Sequence, residues 1–208
     1  MSSINKSLEA HASDVFSQSG EDGVISEILS KIGVVDKWCV EFGAWDGIHL
    51  SNVRRLITEE DYSAVFIEGD SSKFKDLVDN YKDDESVFPL NAYVGFDAAD
   101  NLAHLLSKTP IPKDFDFLSI DIDGNDYNVW EALDGYEPKV VCVEFNPTTP
   151  AHIDYAQPAD PTCHKGCSLK ALNRLGEEKG YKLVCVLPWN AFFVKREYFD
   201  SFGIEDNS

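Results

Sequence analysis

Positive charge is scarce in this sequence: 18 lysines and arginines stand against 37 aspartates and glutamates, a formal net charge of −19 over 208 residues. A surface of that sign repels polynucleotides and anionic lipid headgroups, so neither nucleic acid nor a membrane is expected as a partner. Long apolar runs are missing too. Nothing approaches the roughly 20 residues that span a bilayer, and the N-terminal MSSINKSLEAHAS lacks the apolar core of a signal peptide. A soluble, cytoplasmic protein is the expectation. Repeats, low-complexity tracts and Gly/Ser linkers are also absent, which leaves one domain over residues 1–208 with frayed ends at 1–12 and 203–208.

The five cysteines are odd in number, and Cys39, Cys142 and Cys185 lie in apolar runs where a free thiol packs as a small hydrophobe. Cys163 and Cys167 differ, flanking His164 in the polar stretch PTCHKGCS. Structural zinc would require a further ligand pair, and only His152 is near in sequence, so a reduced pair in a loop is the expected state.

What is present is enough apolar material for a continuous core, 43% hydrophobic and 12% aromatic, arranged in alternating patterns. GVISEILSKIG carries Val24, Ile25, Ile28, Leu29 and Ile32 at helical spacing and stops on Gly33, and WCVEF reads as a buried strand. Residues 51–57 then read as a helix and 64–68 as a second strand, after which Ser71 or Ser72 caps a helix with Phe74, Leu77, Val78 and Tyr81 on one face. SVFPLN supplies a third strand that Pro89 is expected to break. Residues 101–106 are helical, FDFLSID is a fourth strand, 127–133 a helix and KVVCVEF a fifth strand. Ser168 caps a helix through Leu169, Leu172 and Leu175, and YKLVCVL and AFFVKREYF follow as two more strands.

Strands apolar on both sides of the pleat, separated by amphipathic helices, belong to a mostly parallel sheet covered on both faces. The reading is an α/β, Rossmann-like three-layer sandwich with seven strands. The connection through Pro188, Trp189 and Asn190 is too short for a crossover, so the last strand is antiparallel.

The most informative segment is WCVEFGAWDGIHLSN. A strand ending at Gly43 and a second glycine at Gly47 let the backbone turn tightly and approach a ligand, as cofactor loops do. Ala44, Trp45 and Asp46 depart from GxGxxG, and Glu41 and Asp46 would repel a pyrophosphate while suiting a cationic sulfonium and amine. Glu68 ends the second strand at the spacing where a carboxylate accepts from ribose hydroxyls. Glu41, Gly43, Ala44, Asp46, Gly47 and Glu68 are therefore the expected cofactor residues, and S-adenosylmethionine is favoured over NAD.

Five segments in order resemble the FkbM-like branch of class I methyltransferases: SQSGED at 17–22, VEFGAWDG with FIEGD, LSIDIDGNDYNVWEAL, VVCVEFNP, and the final GYKLV with AFFV. The resemblance covers most of the chain. It implies methyl transfer from S-adenosylmethionine, usually to an oxygen of a sugar or secondary metabolite. The chain has Glu41, Trp45 and Asp46 within the usual D-x-G-A-N-x-G, and Asp121-Ile-Asp123-Gly124 for the usual D-V-E-G, departures that bear on the substrate more than on the cofactor.

Asp121 and Asp123, at the end of the fourth strand, are candidate catalytic residues, with Asp121 also near the cofactor. Glu144 and Asn146 from the fifth strand complete a set of hard oxygen donors for Mg²⁺ or another divalent cation, an arrangement similar to that of catechol-type O-methyltransferases. Asn125 and Asp126 are equally explained as a turn and helix cap. The long stretch from Pro147 to Cys167 reads as a substrate lid, with His152, Tyr155 and His164 as candidate bases or contacts. Trp45 and Trp189 can stack on a ring or simply pack, and Gln18, Glu21 and Asp22 either line the pocket or favour a helix amino end. The expected activity is methyl transfer to a hydroxyl or amine of a small-molecule or carbohydrate substrate. A non-catalytic adenosyl-binding module and a metal-dependent hydrolase or sugar-modifying enzyme are the alternatives.

Overall fold

A computed structural model describes residues 7–33 and 36–204. Seven strands form one sheet in the order β3-β2-β1-β4-β5-β7-β6. The strands are β1 (Trp38–Phe42), β2 (Ser63–Glu68), β3 (Val87–Asn91), β4 (Phe117–Ile120), β5 (Val140–Glu144), β6 (Tyr181–Val186) and β7 (Asn190–Lys195). β1 to β5 are parallel, while β7 runs antiparallel to both β5 and β6. The intervening helices are α1 (Glu21–Ile32), α2 (Arg54–Glu60), α3 (Ser71–Tyr81), α4 (Leu102–Leu106), α5 (Asp126–Ala132) and α6 (Leu169–Glu178). Among the described residues no helix is long and apolar enough to cross a membrane.

Period-two alternation divides the strand residues between two apolar layers. Val40, Phe42, Val65, Ile67, Leu118 and Ile120 face the layer that holds Leu105 of α4, Trp130 of α5 and Leu172 of α6. Cys39, Ala64, Phe66, Phe117 and Phe192 face the other, against Ile25 and Ile28 of α1, Leu56 of α2 and Leu77 of α3. Burying each such side chain stabilises the fold by roughly 1.5–3 kcal/mol. Both faces are covered, which is why these strands read as near-continuous apolar runs.

Several local expectations change. α2 begins at Arg54, not 51: Val53 is the residue before it, and Ser51 Oγ accepts the backbone N–H groups of Val53 and Arg54 in the turn that leads into the helix. The cap of α3 is Asp70 instead of Ser71 or Ser72, its carboxylate accepting from Ser72 N and Lys73 N. Pro89 does not break β3, an edge strand in which the missing N–H can face away from the only partner. β7 stops at Lys195, and REYF belongs to a 3₁₀ segment, Arg196–Phe202, that buries Phe202 beneath α1 and β6. The N-terminal stretch is not frayed where it is described: Leu8–His11 forms a 3₁₀ turn with Leu8 buried against α1. Residues 1–6 and 205–208 lie outside the described residues.

At the amino ends of the strands, Lys139 donates to Asp116 at 2.6 Å and to Asp36 at 2.8 Å, while Asp116, fully buried, also accepts the Lys37 N–H. This network ties β5 to the start of β1 and leaves the opposite edge free for chemistry.

Candidate functional site

The carboxyl ends of the strands form that edge. Register places Phe42 opposite both Ile67 and Ile120, Ile120 opposite Val143, and Glu144 opposite Asn190. One residue further, Glu68, Gly43, Asp121, Glu144 and Asn190 share a single row across five strands, with side chains toward the α1 face. Gly43 holds a φ of +72°, and a Cβ there would lie 2.3 Å from the Asp121 carbonyl oxygen, so the β1 and β4 loops touch only because the side chain is missing.

Glu68 is 7% exposed and fastens two loops: Oε2 accepts from Trp45 N at 2.8 Å and Oε1 from Asp70 N at 2.7 Å. Each carboxylate oxygen keeps a lone pair for a ligand hydroxyl. Glu41 is buried and accepts from Ser51 Oγ at 2.6 Å and Asn52 N at 2.7 Å, so it shapes the turn into α2 beneath the loop. Burial pushes its pKa up to about 7 against the pull of those two hydrogen bonds. Asp46 closes a turn by accepting from Ile48 N and His49 N. Ala44 and Gly47 are buried. A Cβ on Gly47 would meet Leu77 and Tyr81 of α3 at 2.6 Å, so packing against α3 already requires a glycine here.

Asp121, Asp123 and Glu144 can bring one carboxylate oxygen each within 4.8 Å of one another. Burial, then Asp123 and Glu21, raise Asp121 to about 6; burial, then Asp121, Asp126 and Asp123, raise Glu144 to about 8. Asp123 sits at φ +56°, a left-handed conformation that aspartate tolerates. Asp126 is buried and accepts from Ile122 N and Gly124 N at 2.9 Å, bracing this loop, with burial lifting its pKa to about 7. A cavity of about 370 Å³ opens here, lined by Asp123, Glu144, Phe145, His164, Lys165 and Trp189.

Asn146 borders the cavity, but its Oδ1 accepts from Thr148 N and Oγ1 and its Nδ2 donates to Lys165 O, so the expected fourth metal ligand is engaged by its own loop. His152 is exposed, uses its carbonyl to receive Lys170 Nζ, and does not line the cavity. His164 does line it, with Nδ1 at 3.3 Å from the Asp123 carbonyl. Cys167 is buried in the core and Cys163 offers its carbonyl to Gln157, so among the described residues the carboxylate trio, not the cysteines, is the metal-capable group. The stretch from 147 to 167 is folded: Gln157, 2% exposed, accepts from Lys165 N and Gly166 N and donates to Cys163 O.

The N-terminal motif also reaches this edge. Asp22 collects the N–H groups of Val15, Phe16 and Ser17, and Glu21 those of Gln18 and Ser19, folding the chain back over the sheet. Glu21 Oε1 then accepts from Asn190 Nδ2 at 3.0 Å. Sequence reasoning missed Asn190 because only strand register joins it to Glu144. It also missed Tyr93, 77% exposed, whose ring lies over Gly69 beside Glu68. Trp45 is held under Lys73 at 4.6 Å. A larger cavity, about 570 Å³, opens at the other end of the sheet, but its cations are engaged locally, Lys195 by Glu137 and Lys179 by the Leu133 carbonyl.

No family model matches the chain, and no curated protein matches it. Among solved structures, a protein of Galdieria sulphuraria assigned as a sarcosine dimethylglycine methyltransferase superposes with a TM-score of 0.51 at 13% identity, over 79% of this chain and 62% of the other. This chain thus spans less than two thirds of that protein. The glycopeptide N-methyltransferase MtfA with S-adenosyl-L-methionine bound has a TM-score of 0.48 at 10% identity, covering 88% and 96% of the two chains. A SAM-dependent methyltransferase of Aquifex aeolicus gives 0.45 at 12%, covering 81% and 87%. Strand order, the reversed β7 and the helices on both faces show that this chain has the Rossmann-like fold of class I methyltransferases.

Proposed function

We propose that the protein is an S-adenosylmethionine-dependent methyltransferase of a small molecule or carbohydrate, related to the FkbM-like group by the motifs in its sequence. The observation that carries the reading is the single row of Glu68, Gly43, Asp121 and Glu144 at the carboxyl edge of the sheet, where open α/β sheets bind ligands. The donor set fits this cofactor. Among the described ion pairs none reaches Asp121, Asp123 or Glu144, so the carboxylates that border the edge have no basic side chain paired with them and suit a sulfonium and an ammonium. Glu68 would receive the ribose hydroxyls, Tyr93 would flank the base, and the Gly43 turn with Asp121 would sit beside the methionyl end. When bound, the cofactor supplies an electrophilic methyl group. The chain positions the acceptor, excludes water with the folded 147–167 segment, and takes the acceptor's proton on Glu144 or Asp121, whose pKa values near neutrality suit a general base.

Calorimetry with S-adenosylmethionine and S-adenosylhomocysteine tests the reading. Both should bind, and Glu68→Ala should abolish binding through the lost hydroxyl acceptor and the freed loops; absence of affinity for either ligand sinks the proposal. A second reading places a divalent cation at Asp121, Asp123 and Glu144, supported by their mutual spacing within 4.8 Å. There the ion would lower the pKa of a substrate hydroxyl, and chelation would stop turnover.

A further inference from the structure

Two groups of opposite charge lie without partners beside residues 15–17. Asp22 is 2% exposed; its Oδ2 accepts the N–H groups of Val15, Phe16 and Ser17 at 2.7–2.8 Å, while its Oδ1 is buried and meets no donor. Arg54 is half-buried, and its Nε and Nη1 are buried without an acceptor. Of the four arginines, Arg55, Arg174 and Arg196 each meet a carboxylate, and Arg54 meets none among the described ion pairs. One residue joins the two groups: Phe16 gives its N–H to Asp22, and its ring lies 4.8 Å from Arg54 Cζ. The ring covers a face of the guanidinium and leaves the in-plane N–H donors unsatisfied. Three N–H bonds to Oδ2 fix the Asp22 carboxylate, and Asp14 closes the segment by accepting from Ser17 Oγ and Gly20 N, so the free oxygen is held in place. Both groups adjoin the foot of the glycine loop. Arg54 N donates to the Ser51 hydroxyl, which donates to Glu41, two residues before Gly43; and burial, followed by the charges of Asp121 and Asp22, raises the Glu41 carboxyl. An orphan cationic donor and an orphan anionic acceptor beside one loop are complementary to a zwitterion, which brings a carboxylate for the first and an ammonium for the second.

Resting on the methyltransferase reading, we propose that Arg54 and Asp22 grip the amino-acid end of the cofactor, Arg54 taking its carboxylate and Asp22 Oδ1 its ammonium. Residues 15–22 then act as a clasp over that end of the ligand. No bond is made or broken, and the trio of Asp121, Asp123 and Glu144 has no part in the contact, so the assignment holds with or without a cation there. The clasp is built from α1, α2 and the segment before α1, whereas the ribose acceptor Glu68 ends β2. Cutting back the amino-acid end of the ligand therefore removes the one set of contacts and spares the other.

The test is calorimetry of the full chain with three ligands that share adenosine and an uncharged sulfur: S-adenosylhomocysteine, its decarboxylated analogue, and 5′-methylthioadenosine, which lacks the amino-acid end altogether. The wild type should bind the first about tenfold tighter than the second, and the second about tenfold tighter than the third. Arg54→Met, which keeps an unbranched apolar stem against Phe16, should close the gap between the first two. Asp22→Asn, which keeps an oxygen for the three N–H groups, should close the gap between the last two. Affinity for methylthioadenosine should not change in either variant. Equal wild-type affinity for the three ligands, the result expected if a water bridges Asp22 and Arg54 instead, overturns the proposal. So does a variant that weakens all three alike, the mark of a residue that only supports the fold. Wild-type affinity for methylthioadenosine then confines the failure to the clasp, whereas absence of binding by all three ligands overturns the methyltransferase reading with it.

Discussion

Glu41→Gln isolates the electrostatic cost of the acidic edge. The carboxylate is 6% exposed and its pKa is raised to about 7 in the folded protein against an ordinary value of 4.5. Below the ordinary value it is neutral in both states. Between 4.5 and about 7 the unfolded chain ionises while the folded chain holds the proton, so stability falls as pH rises through this window and is level above it. Each tenfold difference in proton affinity is worth about 1.4 kcal/mol, giving a loss of about 3 kcal/mol. Glutamine cannot ionise and escapes that loss. It keeps an acceptor for Asn52 N but denies one to the Ser51 hydroxyl, a defect of about 1–2 kcal/mol at every pH. The variant should therefore be less stable than wild type near pH 4.5 and should gain about 3 kcal/mol relative to it near pH 8. Urea unfolding of both proteins at the two pH values measures the double difference, in which titration of the other acids largely cancels. A stability gap that does not change with pH would refute the reasoning.

Three further outcomes follow from packing. Lys139→Met strands the fully buried Asp116 and should cost about 3–5 kcal/mol in urea unfolding, part of it restored by adding Asp116→Asn. Gly47→Ala places a methyl 2.6 Å from Leu77 and Tyr81 at a φ of +70°, and a thermal scan should report about 2 kcal/mol or more of destabilisation. Gln157→Leu removes three hydrogen bonds from the 147–167 segment, so hydrogen exchange at Lys165 and Gly166 should accelerate while β4 amides keep their protection. A uniform acceleration would mean that the segment does not open independently.

Much of the sheet is legible in the residues themselves. WCVEF, AVFIE and KVVCVEF are apolar on both sides because helices cover both faces, and local periodicity carries that information without tertiary detail. The reversed last strand follows from the short connection through Pro188 to Asn190. Element ends are less legible: residues 51–57 read as one helix, whereas α2 starts only at Arg54. Ser51 is held out of the helix by Glu41, ten positions away, which accepts its hydroxyl.

By itself the sequence determines an acidic protein with a parallel sheet, a turn at Gly43 and carboxylates at strand ends, because charge, periodicity and glycine are local properties. Only the tertiary structure decides which of these groups meet. Strand register aligns Glu68, Asp121 and Glu144 and adds Asn190, while hydrogen bonding ties the Asn146 amide to its own loop and packing sets Gly47 against α3. Proximity across strands depends on the order β3-β2-β1-β4-β5-β7-β6, and the cost of an unpaired carboxylate depends on its burial. Neither quantity is a property of any single stretch of chain.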